Sequence, residues 1–304
     1  MNLLDVSKNL QTDEQCLDFL EKVRWPDGVI RCPGCDSDDV GHTVRVKPSK
    51  NRRTRVYHCL ACEGQFSTTS GTLFHDSHLP LHKWFLAVAL IVDAKKGISA
   101  KQLQRHLKVS YRTAWYLAHR IRESMSGPTG PKLAGVVEID ETYIGGKQRG
   151  NRNKLRNKDV VMGLRERGGD LRLFHLPDAT ADSLTKPIQE NISSDVQTVI
   201  TDEAKAYPLA MMASGIHGSK HETIKHLDKI YVRGDIYTNT VESAFSLFKR
   251  GLVGSFHSVS SKHLERYLAE FEYRFNRRRQ PDIFEQTVGK LAGAQPLQYS
   301  QLVN

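Results

Sequence analysis

The sequence predicts an α/β protein: a mixed-sheet core preceded by a small metal-held knuckle and a helical segment. Three observations predict it. Four of the five cysteines fall in two C-x2-C pairs, Cys32/Cys35 and Cys59/Cys62. Residues 79–125 carry apolar residues at helical spacing, with serines placed as caps. From residue 133 onward, short β-branched runs alternate with helical stretches.

The bulk numbers bound the answer. A chain of 304 residues holds one large core with satellites, or two to three domains. Hydrophobic residues make up 39% and charged residues 26%, which predicts an ordered, soluble chain. With 44 Lys+Arg against 34 Asp+Glu the formal net charge is +10, which favours an anionic polymer or surface as partner. No apolar leader opens the chain and no apolar run reaches transmembrane length, so a cytoplasmic protein without a membrane partner is expected. In that compartment the cysteines are not expected to form disulfides.

Residues 1–70 read as a short helix followed by a zinc ribbon. Twenty-three residues separate Cys35 from Cys59, and the intervening stretch alternates as two short strands around a basic turn. Two such pairs set four thiolates around one structural zinc ion. His58 adjoins Cys59 and is a competing ligand, although the four-sulfur set is complete without it. Cys16 lies in an amphipathic helix and reads as core. The turn carries Arg45, Lys47, Lys50, Arg52, Arg53 and Arg55, and 43–58 contains no acid. That composition suits a phosphate backbone.

Residues 71–126 read as helical. A buried helix over 79–97 ends at Gly97. Ser99 caps a second helix and Ser110 a third, with the break at KVS, the outline of a helix-turn-helix. Tyr111, Arg112 and Thr113, then His119, Arg120 and Arg122, suit a DNA groove and its backbone. Residues 126–132 (SGPTGPK) read as a linker.

Residues 133–285 read as the mixed-sheet core and 286–304 as a tail. Strands are predicted at 133–146, 159–169, 170–177, 195–202 and 221–226. Helices are predicted at 180–191, after 203 with an interruption near Pro208, from about 240 to 250, and at 260–279. Three antiparallel strands, a helix, a further strand and more helices resemble an RNase H-like core. In that arrangement the first and fourth strands lie adjacent and parallel, bringing Asp140 and Asp202 together. Two close carboxylates repel unless a divalent cation lies between them, and Mg2+ takes hard oxygen ligands. Glu242, on the helix of TNTVESAFSLFKR, supplies a third acid. Glu141 and Glu203 are one residue out of phase with the two aspartates.

The motifs CPGC…CLACEGQFS, VVEIDETYIGGK, TDEAKAY and YTNTVESAFSLFKRGLVGSFHSVSSKHLERYLAEFEYRFNRR together resemble a known family, across residues 32–278. It is that of bacterial insertion-sequence transposases with an N-terminal zinc ribbon and an ISXO-like DDE domain. The resemblance implies a zinc ribbon joined to an RNase H-like domain. It also implies divalent-metal-dependent strand cleavage and transfer at the element's terminal inverted repeats, with Asp140 and Asp202 as catalytic aspartates. The third position lies in TNTVES, where Asn239 and Glu242 both stand open. Charge favours Glu242 as the Mg2+ or Mn2+ ligand, with Asn239 auxiliary. Lys249, seven residues beyond Glu242 and on the same helix face, resembles the basic residue that follows the glutamate in DDE enzymes.

On this reading water attacks a phosphodiester at the element end, and the freed 3′-hydroxyl attacks target DNA without a covalent protein intermediate. Tyr143 has no arginine–histidine set around it to make it a nucleophile. Lys147, Arg149, Arg152 and Lys154 in the basic loop, and Arg274 and Arg277 near the last long helix, are expected on double-stranded DNA. Two copies or more are expected to assemble there. The rival readings are a non-catalytic DNA-binding regulator and an RNase H-like nuclease outside transposition.

Overall fold

The computed structural model describes residues 1–44, 55–127, 130–146, 158–224 and 237–303. The expected basic turn (Arg45, Lys47, Lys50, Arg52, Arg53) and basic loop (Lys147, Arg149, Arg152, Lys154) lie outside them. The chain forms two compact units, Met1–Ser126 with Arg278–Asn304, and Gly127–Arg277.

In the first unit, α1 (Leu3–Asn9) and α2 (Asp13–Arg24) each open with a capping box, Asn2 with Asp5 and Thr12 with Gln15. A three-stranded antiparallel sheet follows: β1 (Val40–Val44), β2 (Val56–Cys59) and β3 (Gln65–Phe66). Tyr57 fixes it to the helices. Its ring meets Trp25 edge-on at 5.8 Å and Phe66 at 5.4 Å, and its hydroxyl donates to Glu21 at 2.5 Å. Arg55, expected on DNA, is engaged within the protein. Its guanidinium pairs with Asp18 at 2.5 Å and Glu21 at 2.9 Å, binding β2's approach to α2.

The helix expected over 79–97 is shorter: α3 is Leu81–Asp93. The chain then turns, with Gly97 in the left-handed region at φ 81. α4 (Ala100–Leu107) and α5 (Tyr111–Ser124) follow, capped as expected by Ser99 on the Gln102 N–H and Ser110 on the Thr113 N–H, both at 3.1 Å. Between them Lys108 adopts a left-handed conformation that closes the turn.

The second unit holds a five-stranded sheet: β4 (Val136–Ile144), β5 (Asp159–Glu166), β6 (Leu171–Leu176), β7 (Thr198–Asp202) and β8 (His221–Ile224). Their order is β6-β5-β4-β7-β8. β4, β5 and β6 pair antiparallel, while β7 joins β4, and β8 joins β7, in parallel. With its helices this is the RNase H-like architecture. α6 (Ala181–Asn191) and α7 (Ala206–Ala213) cover one face, burying Val137, Ile139, Met162 and Tyr207. Pro208 does not interrupt α7, because it occupies the first turn, where an amide N–H has no intrahelical partner.

α8 (Asn239–Gly251), a five-residue π-helical turn (Leu252–Phe256) and α9 (Ser261–Asn276) cover the other face. Val241, Phe245 and Phe248 of α8 pack there with Leu264, Leu268 and Phe271 of α9. α9 also closes the edge of β6. The Asn276 amide exchanges two hydrogen bonds with Leu171, accepting from its N–H at 2.9 Å and donating to its carbonyl at 2.8 Å. Glu272 accepts from the Leu173 N–H at 2.8 Å.

The region expected as a tail is structured. α10 (Ile283–Gly293) crosses residue 285 and packs on α2, α3 and α5 in the first unit, and α11 (Ser300–Val303) buries Leu302. Phe284 meets Phe19 at 5.8 Å and Phe85 at 6.0 Å. Among the described residues, no helix is long and apolar enough to cross a membrane.

Candidate functional site

The parallel pairing of β4 with β7 builds the acidic site. Val137 pairs with Val199 and Glu138 with Ile200. Continuing that register two residues along both strands brings Asp140 level with Asp202, on the face that α8 covers. Glu242 lies one residue beyond Val241, which packs on that same face.

Each acid is oriented locally. Asp140 accepts from the Glu141 N–H at 2.9 Å, Asp202 from the Ala204 N–H at 3.0 Å, and Glu242 from the Thr238 hydroxyl at 3.0 Å. Burial, then the charge of Glu141, and then those of Glu242 and Asp202 hold the Asp140 carboxyl up to about 7; the Glu141 N–H opposes them. Carboxylate oxygens are the hard donors that Mg2+ and Mn2+ take. The three acids do not converge into a ligand cluster: among the described residues only the four cysteines bring three or more ligand atoms within 4.8 Å of one another.

Glu141 lies on the opposite face of β4, where the Tyr207 hydroxyl donates to it. Tyr143 shares that face and packs against the α6–α7 core. Glu203 follows the last residue of β7 and is exposed. Asn239 begins α8 and is exposed, one turn from Glu242; Lys249 is exposed in the last turn.

Sequence reasoning missed Glu138. It is fully buried two residues before Asp140, paired with Arg167 at 2.7 Å and bonded to the first turn of α8. The available signal was an acid in phase with Asp140 inside the apolar run VVEI.

The cysteines form a second site. Sγ atoms of Cys32 and Cys62 lie 3.7 Å apart, and those of Cys35 and Cys59 lie 3.6 Å apart. Tetrahedral zinc with bonds of about 2.3 Å sets sulfur–sulfur spacings of about 3.8 Å, so the set fits the ion. Asp36 and Glu63, each just after the second cysteine of a pair, are both left-handed at φ 60 and 56, so the two knuckles turn alike. His58 is not in the cluster.

The expected DNA contacts separate by burial. Tyr111 and Arg112 are exposed at the N-terminus of α5, with the Arg112 guanidinium 4.3 Å from the Tyr299 ring centroid. His119, Arg120 and Arg122 are buried, contrary to expectation, because α5 is packed by α3 and α10. Arg274 is also buried, 3.0 Å from Glu270, because it lies on the side of α9 that enters the core. Arg277 is half-buried, its guanidinium 4.2 Å from the Tyr273 ring centroid.

Comparison with known proteins adds the family. The profile of the ISXO2-like transposase domain matches residues 132–276, and that of a transposase zinc-ribbon domain matches residues 11–65. A Halobacterium salinarum protein, described as an uncharacterized protein in transposable element ISH50, is 30% identical over 284 residues, covering 88% of this chain and 92% of that one. Among solved structures, a chain in the simian T-cell lymphotropic virus intasome in complex with PP2A regulatory subunit B56 gamma aligns with 62% of this chain. At 13% identity, a TM-score of 0.30 and 65% of its own length, that likeness is too slight to carry an argument.

Proposed function

The chain belongs to the insertion-sequence transposases that join a zinc ribbon to an ISXO2-like DDE domain, and we propose that it cuts and joins DNA at the ends of its own element. The observation that carries the reading is the parallel register of β4 and β7, which brings Asp140 level with Asp202 on the sheet face covered by α8, the helix of Glu242.

Asp140, Asp202 and Glu242 would hold Mg2+ or Mn2+, with Asn239 as an auxiliary oxygen donor. When bound, such ions activate an attacking oxygen and offset charge at phosphorus. The residues align the scissile phosphodiester so that a water oxygen forms the new P–O bond as the 3′-oxygen leaves and takes a proton. In the second step that 3′-hydroxyl attacks a target phosphodiester in line, releasing a target 3′-hydroxyl, so phosphodiester bonds are conserved. Lys249 contacts a phosphate beside the reacting bond.

Recognition of double-stranded DNA falls to the exposed start of α5, with Tyr111 and Arg112, and to Arg277. The basic residues 45–53 and 147–154 join this reading by sequence alone. Pairing of two element ends calls for at least two copies of the chain.

The test is Mg2+-dependent cleavage and joining of DNA carrying the cognate ends, beside Glu242→Ala and Asn239→Ala. Loss with Glu242→Ala and partial loss with Asn239→Ala is expected. The reverse order would make Asn239 the third ligand, and end binding without cleavage by the wild type would favour a regulator.

A further inference from the structure

We propose that Glu138 is a positioning residue: it fixes the first turn of α8 on the sheet and so sets the reach of the Glu242 carboxylate toward Asp140 and Asp202. The inference rests on the reading of Glu242 as the third acid.

Glu138 is a fully buried acid, third of the nine residues of β4, which is costly unless its oxygens are satisfied. They are. Oε2 accepts from the Thr240 N–H at 2.8 Å, the Thr240 hydroxyl at 2.7 Å and the Val241 N–H at 3.1 Å. Oε1 accepts from Arg167 Nε at 2.7 Å. Four donors therefore occupy a carboxylate that shares the strand face of Asp140, so Glu138 is not free to join the metal ligands. Its partners include two amides in the first turn of α8, which have no intrahelical acceptor. A carboxylate there also meets the positive end of the helix.

Val241, the last of those donors, immediately precedes Glu242. Arg167 extends the clamp backward. Its Nη2 donates to the Tyr237 carbonyl at 2.8 Å, its guanidinium carbon lies 3.6 Å from the Tyr237 ring centroid, and its own N–H donates to the Val136 carbonyl at 2.9 Å. The segment entering α8 and the first turn of α8 are thus both tied to the start of β4 through one ion pair.

Packing supplies the second constraint. Gly163, which pairs with Asp140, lies under α8; a Cβ there would come within 2.8 Å of Phe245 and 2.9 Å of Val241. The glycine sets how closely the helix approaches the sheet. Glu138 sets its position along the sheet. Removing the carboxylate leaves the fold's apolar contacts in place but frees the turn that carries the third acid.

The experiment compares wild type, Glu138→Gln, Thr240→Val and Glu242→Ala as full-length, zinc-loaded proteins. Mn2+ binding is read by electron paramagnetic resonance of the free ion, at a temperature where circular dichroism shows each variant folded. Cleavage against Mn2+ concentration and binding to cognate-end DNA are measured alongside. Glu138→Gln is expected to weaken Mn2+ binding by about 10–100-fold while end binding is kept, with partial recovery of cleavage at high Mn2+. Thr240→Val, which removes one donor and keeps both amides, is expected to shift the Mn2+ curve the same way by less. It carries the test if Glu138→Gln does not fold. A folded Glu138→Gln, or failing that Thr240→Val, with the wild-type Mn2+ curve beside an inert Glu242→Ala would overturn this proposal alone. Wild-type Mn2+ binding and cleavage by Glu242→Ala would overturn the third-acid reading, and this inference with it.

Discussion

Asp140 and Glu141 are neighbours in β4 that serve opposite faces of one sheet: Asp140 stands level with Asp202 on the face that α8 covers, while Glu141 accepts a hydrogen bond from the buried hydroxyl of Tyr207. The division predicts distinct phenotypes. Asp140→Asn abolishes cleavage with little change in fold. Tyr207→Phe leaves metal-dependent cleavage measurable but lowers stability by about 1.5–3 kcal/mol, the range for a hydrogen bond to a charged group. Urea unfolding and a cleavage assay on both variants check this.

Gly163 has no room for a methyl group against Val241 and Phe245. Gly163→Ala should therefore lift α8, at a cost of about 1–3 kcal/mol for overpacking, and should lower cleavage with it. The thermal midpoint and the cleavage rate, measured on the same preparation, check the prediction. A fully active Gly163→Ala protein of wild-type stability would contradict the described closeness.

The five thiols should react in two classes. With zinc bound, Cys32, Cys35, Cys59 and Cys62 are expected to resist a thiol reagent until a chelator is added, when four react and one zinc ion is released. Cys16 should stay silent even then if α2 remains packed. Burial, with the charge of Asp13, pushes its thiol up to about 12, so near pH 8 it remains protonated and covered. It reacts only on adding denaturant. Thiol titration with parallel zinc release counts both classes.

Arg55 and Arg112 should part company under salt. Arg112→Ala is expected to weaken end binding and to reduce the slope of log affinity against log salt by about 1. Arg55→Ala removes a guanidinium held by Asp18 and Glu21, so it should lower the unfolding midpoint and leave the salt slope unchanged. Titrations of end DNA at several salt concentrations separate the two effects.

The strands β4 to β7 were legible from alternation and turn residues, and the pairing of β4 with β7 from the likeness to an RNase H-like core, which sets Asp140 and Asp202 at corresponding positions on neighbouring parallel strands. Both cysteine pairs were legible from spacing alone. Glu138 was not, because the partners that explain it lie 29 and 102 residues away in the chain. His119, Arg120 and Arg122 read as an exposed basic face because local pattern favours water for charge. Their burial depends on α10, far downstream, whose sequence read as a tail. The ion pairs of Arg55 were not legible for a related reason: its own neighbourhood holds no acid, and its partners come from α2, with Glu21 34 residues earlier.

The amide of Asn276 and the carboxylate of Glu272 act on β6 as a strand would, taking up Leu171 and Leu173 backbone groups that an incoming chain would otherwise use. A second copy of the chain approaching on that side of the sheet would therefore meet a blocked border.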